Sequence, residues 1–495
     1  VTTDRLNTPE WKGLGMSGTT QRQVTDRFSL PTKNLPAPKT ADLPEAPAKT
    51  WRIIGPGLVG AGVGLASGEF ILWPYISSQV GLVFLWGAFV GVGIQWFLNM
   101  EIERYTLATG ETALTGFNRY WKHWGIFFAV MTYFANLWPG WATSSATMLT
   151  YLFGGGNPRW IAVGILVVIG IILTLAPVVY VMLERLIFVK VAAIGLLVVL
   201  ALIFAIRGST WDGLGDAVTA PAFPADELGF ALLMGAIAYA GAGGGQNLCQ
   251  SNWIRDKGFG MGLHVPRLTS PVTGEKEADP TANGYVFPVD DANLSRWRKW
   301  WKFANVEQAM TFVGITVITI TFTSMLAYAT LFGNPAVENN ISFLKIEGLT
   351  LQSLVGDWFG YLFWAIGAFA LFAAATGIVD YTSRLAADMI KARYLRTSAI
   401  TESKLYFGLV WGLVAFGVLI LMIGLDQPLV LLVISACTAG TMMFVYSFLL
   451  WWMNSRALPK AIKITPLRSA VLIAAGLAFG FLAVLTIQEQ FAKLF

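Results

Sequence analysis

Gly55-Pro56-Gly57 opens an apolar run that continues through Ala66-Ser67-Gly68-Glu69 to Pro74. The run is long enough to cross a bilayer, yet small, helix-weakening residues interrupt it and a carboxylate follows at once. Irregular backbone at bilayer depth is tolerated only where protein or a water-filled cavity surrounds it. An ionisable residue beside such a break therefore marks a functional site. Ala240-Gly241-Ala242-Gly243-Gly244-Gly245-Gln246-Asn247 interrupts a second apolar stretch in the same way. Two broken spans in corresponding halves of a chain point to the central site of a secondary transporter.

The remaining composition agrees. Of 495 residues, 55% are hydrophobic and 13% charged, against about 25% charged in soluble proteins, and the mean hydropathy is +0.60. The class expected is an all-α polytopic membrane protein. Cys249 and Cys437 both fall in apolar stretches, which excludes a disulfide framework or thiolate cluster. His123 and His264 fall in loops, leaving no histidine for an intramembrane metal site. Gly243-Gly244-Gly245 lacks the Lys-Ser/Thr that a phosphate-binding loop needs. With no nucleophile and base pair and no cofactor motif, neither an enzyme nor a cofactor is expected.

At about 20 apolar residues per crossing, eleven spans are predicted: 53–78, 83–107, 124–153, 159–176, 179–206, 229–254, 305–332, 358–380, 404–424, 427–453 and 468–488, the first and sixth broken. Of the 34 Lys and Arg, only Arg159, Arg207, Lys345 and Lys493 fall outside the loops and span ends of one side. The positive-inside rule makes that side, and the N-terminus, cytoplasmic. A bacterial cytoplasmic membrane is the expected location. Residues 1–50 are polar and Pro-rich, with no signal-peptide pattern. They read as a cytoplasmic extension, either disordered or lying on the protein surface. Residues 255–303 form a cytoplasmic loop insertion that ends in Arg296-Trp297-Arg298-Lys299-Trp300-Trp301-Lys302. That mixture of cations and indoles is expected along the lipid headgroups, and calls for no nucleic acid.

Glu69 is the leading candidate for chemistry, as a hard oxygen ligand for a cation or as a proton acceptor. Gln246, Asn247 and Gln250 supply neutral oxygen and nitrogen groups near the second break, with Gln246 and Gln250 on one helix face. Ala66, Ser67, Gly68, Gly243, Gly244 and Gly245 supply broken-helix backbone. Trp138 and Trp141 lie in the third span beside hydroxyls but no acid. Asp380 and Arg384, spaced i and i+4, suit a gate at the inner mouth.

These residues resemble the Nramp family of proton-coupled divalent-metal transporters. The resemblance runs through Gly55-Pro56-Gly57, then Gln95, Arg104 and Thr109-Gly110-Glu111. It continues through Leu149 to Gly154, Leu183-Glu184, Gly235-Ala236, Gln246-Asn247-Leu248, and Gly377 with Ala386-Ala387. It covers most of 52–490 and implies a LeuT-like fold: inverted repeats at about 52–206 and 229–453, an extra helix at 468–488, and a site between the broken helices. The chemistry departs from the family. The family's Asp-Pro-Gly-Asn is Ala66-Ser67-Gly68-Glu69 here, its Met-Pro-His-Asn is Gly244-Gly245-Gln246-Asn247, and the acidic positions of span 3 are Trp138 and Trp141. Loss of Met and His argues against iron or manganese. The function expected is a secondary transporter of a divalent cation, with a hard ion such as Mg²⁺ held by Glu69, Gln246 and Asn247 and with a coupling proton. One alternative is a small organic solute. Another is a transport-inactive scaffold that binds a membrane-complex partner through the 1–50 arm or the 255–303 loop.

Overall fold

A computed structural model describes residues 27–47, 55–65, 68–265, 284–338, 340–395, 398–425 and 427–492. Ala66 and Ser67 lie outside them, as do residues 266–283 of the loop insertion.

The first span is split. Helix α1 covers Pro56–Gly64, with its proline where no intrahelical N–H is needed. The chain resumes in a π-helical turn, Gly68–Leu72, that runs into α2, Trp73–Val80. Helix α3, Trp86–Thr109, ends on Gly110 at φ 62°, the left-handed position that glycine adopts without strain. The short α4, Ala113–Tyr120, starts where the Thr112 side chain accepts from the Thr115 amide. Then come α5 (Trp124–Asn136), α6 (Gly140–Leu152), α7 (Pro158–Leu175) and α8 (Val179–Phe204). The stretch expected to be one span over 124–153 is therefore two helices, because Pro139 has no amide hydrogen to continue the ladder.

Helices α9 (Gly208–Thr219) and α10 (Ala225–Leu228) lead to the second split span, α11 (Phe230–Ala238) and α12 (Gly245–Lys257). Beyond the loop, α13 (Asp291–Glu307) joins α14 (Ile315–Leu331) through a π turn, giving 41 continuous helical residues. The chain closes with α15 (Phe343–Val355), α16 (Asp357–Arg393), α17 (Glu402–Met422), α18 (Pro428–Arg456) and α19 (Pro466–Ala492).

Among the described residues, eight helical stretches are long and apolar enough to cross a membrane. The other three of the eleven expected are α3, which carries Glu101, Glu103 and Arg104, and the interrupted pairs α5–α6 and α11–α12. Burial sorts the spans into a centre and a rim. The apolar window of the first split span is 100% buried, whereas those of α7, α8 and α19 are 33% buried. The rim helices turn Ile171, Val199, Ile203, Phe481 and Val484 outward, as a lipid-facing surface requires. Helix α16 packs on α5, α6, α8 and α17, and α12 packs on α3 and α16.

The Trp-rich run corrects one expectation. Arg296–Lys302 is part of α13 and continues straight into the span. Trp297 and Trp300 are buried in protein rather than spread along headgroups. Trp297 packs on Phe287 and Trp301, Trp300 packs on Phe259 and Phe303, and Trp300 is also bound by the N-terminal arm. Its Pro44 carbonyl accepts from Trp300 Nε1 at 2.8 Å, and its Lys39–Thr40 pairs in parallel with Tyr285–Val286. Further back, the carbonyls of Pro31 and Pro36 accept from Arg119, while Ser29 donates to the Ala457 carbonyl. Residues 27–47 thus lie on the protein surface, laced over one end of the bundle, here called the arm face.

Candidate functional site

The two helix breaks press against each other backbone to backbone. A Cβ on Gly64 would collide with the Gly241 carbonyl, and one on Gly68 with the Tyr239 carbonyl. Only glycine permits that approach. Between α11 and α12 the chain turns at Gly241, Gly243 and Gly244, with φ of 106°, 142° and 55°. Those left-handed values explain why small residues cluster there. Gln246, in the first turn of α12, spans the junction by donating to the Gly60 carbonyl at 2.6 Å.

Gln95 on α3 repairs the second break. Its Nε2 donates to Ala238 O at 3.0 Å and its Oε1 accepts from Ala242 N at 2.7 Å. Ala242 N and Ala238 O are the two ends of one helical bond that the interruption removes, and the carboxamide satisfies both, which is how a break persists in a medium without water. Asn247 donates to Asn99 Oδ1 at 2.6 Å and accepts from Tyr446 at 3.0 Å. Gln250 is buried on the same helix face, its Nε2 without an acceptor among the described residues.

A small cavity of about 10 Å³, room for about one water molecule, lies between the breaks, lined by Val63, Gly64, Trp141, Tyr239, Ala242, Gln246, Ile378 and Tyr381. Its walls hold three aromatic side chains and one carboxamide, and no carboxylate. Tyr239 shares a hydrogen bond with Ser435, and Tyr381 accepts from Asn136. Trp141 Nε1 is buried with no acceptor among the described residues, so the indole holds an unused donor.

Of the three expected metal ligands, only Gln246 lines this cavity. Asn247 is held in the Asn99–Tyr446 network. Glu69 is fully buried in the π turn, where its backbone carbonyl accepts from Thr323 at 2.6 Å. Among the described residues, no three or more His, Cys, Asp or Glu side chains gather as a metal site. Gly68 opens the π turn, Gly243 and Gly244 lie between α11 and α12, and Gly245 starts α12. Ala66 and Ser67 fall outside the described residues. Trp138 packs edge-on against Phe134 and does not reach the cavity.

Asp380 and Arg384 form a buried pair at 2.9 Å. Arg384 also pairs with Asp256 of α12, Tyr406 of α17 donates to Asp380, and Arg255 reaches Asp388 and Glu402 at 3.3 and 3.2 Å. This network ties α12 to α16 and α17 between the cavity and the arm face.

Two charged residues at the ends of α1 were passed over in the sequence. Lys190 is fully buried and its Nζ donates to Gly62 O, in the last turn of α1, at 2.7 Å. Glu307 accepts from the Gly57 amide, in the first turn, at 2.9 Å. The only signal was their position, each a charge near the end of an apolar run.

No family model matches this chain, and no curated protein matches it. Solved structures do. A mutant of the Eremococcus coleocola manganese transporter is 13% identical, with a TM-score of 0.68 over 94% of this chain and 92% of that one. MhsT in complex with L-phenylalanine is 14% identical, with a TM-score of 0.53 over 90% and 100%. Mhp1, a nucleobase-cation-symport-1 family transporter, is 13% identical, with a TM-score of 0.50 over 94% and 96%. At these identities the fold is what is shared, and it is the LeuT-like fold of membrane transporters.

Proposed function

We propose that this chain is a secondary transporter that moves a small solute by alternating access through the cavity between the two helix breaks. The observation that carries this reading is the contact of the breaks, Gly64 against Gly241, beside a water-sized cavity that a solute would enter only when the breaks part. Broken helices of this kind leave backbone groups turned toward a midplane substrate. The positive-inside bias supports the arm face as the cytoplasmic one.

The lining favours a small organic solute as cargo. A divalent ion stripped of water needs anionic oxygen ligands, and the walls present none. Aromatic side chains, an unused indole N–H and a carboxamide suit a solute with an apolar body and an acceptor. A second reading, a hard divalent cation such as Mg²⁺, is favoured by buried Glu69 close to the break and by the manganese transporter's likeness. Uptake into proteoliposomes separates the two, using Mg²⁺ and Mn²⁺ in one arm and amino acids, nucleobases and small amines in the other. Saturable uptake of an organic solute, lost in Trp141→Ala and Gln246→Leu, is the expected result. Saturable Mg²⁺ uptake lost in Glu69→Gln would replace it with the metal reading. No flux from folded protein would leave a scaffold.

A further inference from the structure

Helix α15 lies in the loop between two expected spans, 305–332 and 358–380, at the end of the bundle opposite the arm face. It is docked closely on α16. Trp364 Nε1 donates to the Leu344 carbonyl at 3.0 Å. A Cβ on Gly348 would overlap the Trp364 ring, and one on Gly360 would overlap the Gly348 carbonyl. This docking turns Glu347 into the bundle, where it is 2% exposed.

Glu347 lines a cavity of about 10 Å³, room for about one water molecule. Five elements present apolar groups to it: Phe70 of the π turn, Pro74 of α2, Leu197 of α8, Phe322 of α14 and Phe363 of α16. Thr323 is the other polar residue of the lining, and its hydroxyl is engaged with the Glu69 carbonyl. A carboxylate here would lose its hydration with no countercharge in return, so the neutral acid is the form that fits.

We propose that Glu347 is a proton-binding site that keeps its proton while α15 is docked and gives it up as α15 lifts. On lifting, the carboxyl O–H bond breaks, the electron pair stays on the oxygen and the proton passes to water. Lifting also uncovers Phe70 and Pro74, so the proton governs access to the first split span from that end. This goes beyond the transport reading and requires no particular cargo.

The charged and titratable groups on the surrounding elements are accounted for. Lys345 of α15 and Asp357 of α16 are exposed. Tyr75 of α2 packs on Phe343, Tyr328 of α14 on Phe332, and Tyr151 of α6 and Tyr361 of α16 on Trp364. Glu69 is buried in the π turn, and Lys190 of α8 donates to Gly62 O. Toward the arm face, Glu184 pairs with Lys257, Asp380 with Arg384 and Asp388 with Arg255. Burial alone pushes the Glu347 carboxyl up to about 8. A group raised in the docked state favours docking in full below the ordinary carboxylate range, and that contribution is lost as pH rises through about 8.

The test uses Leu351→Cys, a buried position on α15, in a full-length Cys249→Ala/Cys437→Ala background reconstituted in nanodiscs. Maleimide labelling is measured from about pH 6 to about pH 9, each rate divided by that of the same protein unfolded, which removes the thiol's own pH dependence. With Glu347 intact the normalised rate should rise about tenfold per pH unit and level off above about pH 8. Glu347→Gln, neutral and of the same shape, should label slowly throughout. Glu347→Asp should keep the rise, which separates titration from misfolding. Lys345→Met should leave the profile in place. A flat profile with Glu347 intact, or a rise that survives in Glu347→Gln, overturns the proposal. Fast labelling of Glu347→Gln at every pH overturns it too, because a neutral side chain should keep α15 docked. Either failure would leave the transport reading standing, since labelling reads α15 without any cargo.

Discussion

The two helix breaks solve one problem with different chemistry. Between α11 and α12 the interrupted backbone is spliced by carboxamides: Gln95 satisfies both ends of the lost bond, and Asn99, Asn247 and Tyr446 fix the start of α12. Around α1 the caps are a carboxylate and an ammonium, Glu307 and Lys190. Amides keep their hydrogen-bonding character at every pH, whereas charged caps hold only in one protonation state. On the alternating-access reading, the α12 junction would be the fixed reference and α1 the element released.

The largest expected effect falls on the fixed side. Arg384→Met leaves Asp380 and Asp256 buried without their countercharge, a loss on the order of 3–5 kcal/mol. A collapse of the folded fraction in size-exclusion chromatography and in Tm would show it. A protein that stays stable would deny that α12 is locked to α16. Gln95→Leu comes next. It strands Ala238 O and Ala242 N, each costing about 1–3 kcal/mol, and should lower Tm more than Gln95→Glu, which keeps the acceptor. An unchanged Tm would mean that the second break needs no splice.

Smaller effects belong to the arm. Trp300→Phe removes the bond to Pro44, worth about 1 kcal/mol, and should speed protease cleavage within 27–47 without altering Tm strongly. Glu45 is exposed, and its hydrogen bond from Arg296 holds its carboxyl below the usual carboxylate range. Such a group stabilises the arm above that range and ceases to as pH falls through the lowered value. Glu45→Gln should give no measurable change in Tm at neutral pH, and the wild-type arm should become more protease-sensitive only under acid conditions.

The breaks were legible because glycine runs inside apolar spans have few other uses. Pro139 was visible too, yet the span around it was expected to be continuous, since proline kinks many membrane helices without ending them. The Trp-rich run read as headgroup anchors because its composition suits them. Arg296 and Trp300 bond to an arm some 250 residues away in sequence, and no local pattern carries that. Asn247 shows the same limit: a carboxamide is equally a ligand and a splice, and its partners Asn99 and Tyr446 lie far off along the chain. Lys190 reads as a boundary cation until the end of α1 is seen against it.

Amide hydrogen exchange in nanodiscs, followed by mass spectrometry at one pH and comparing wild type with Lys190→Met, tests the asymmetry most directly. Peptides over residues 56–64 should exchange markedly faster in the variant, while those over 245–257 stay unchanged. Equal acceleration of both, or acceleration confined to 245–257, would contradict the division into a fixed break and a released one.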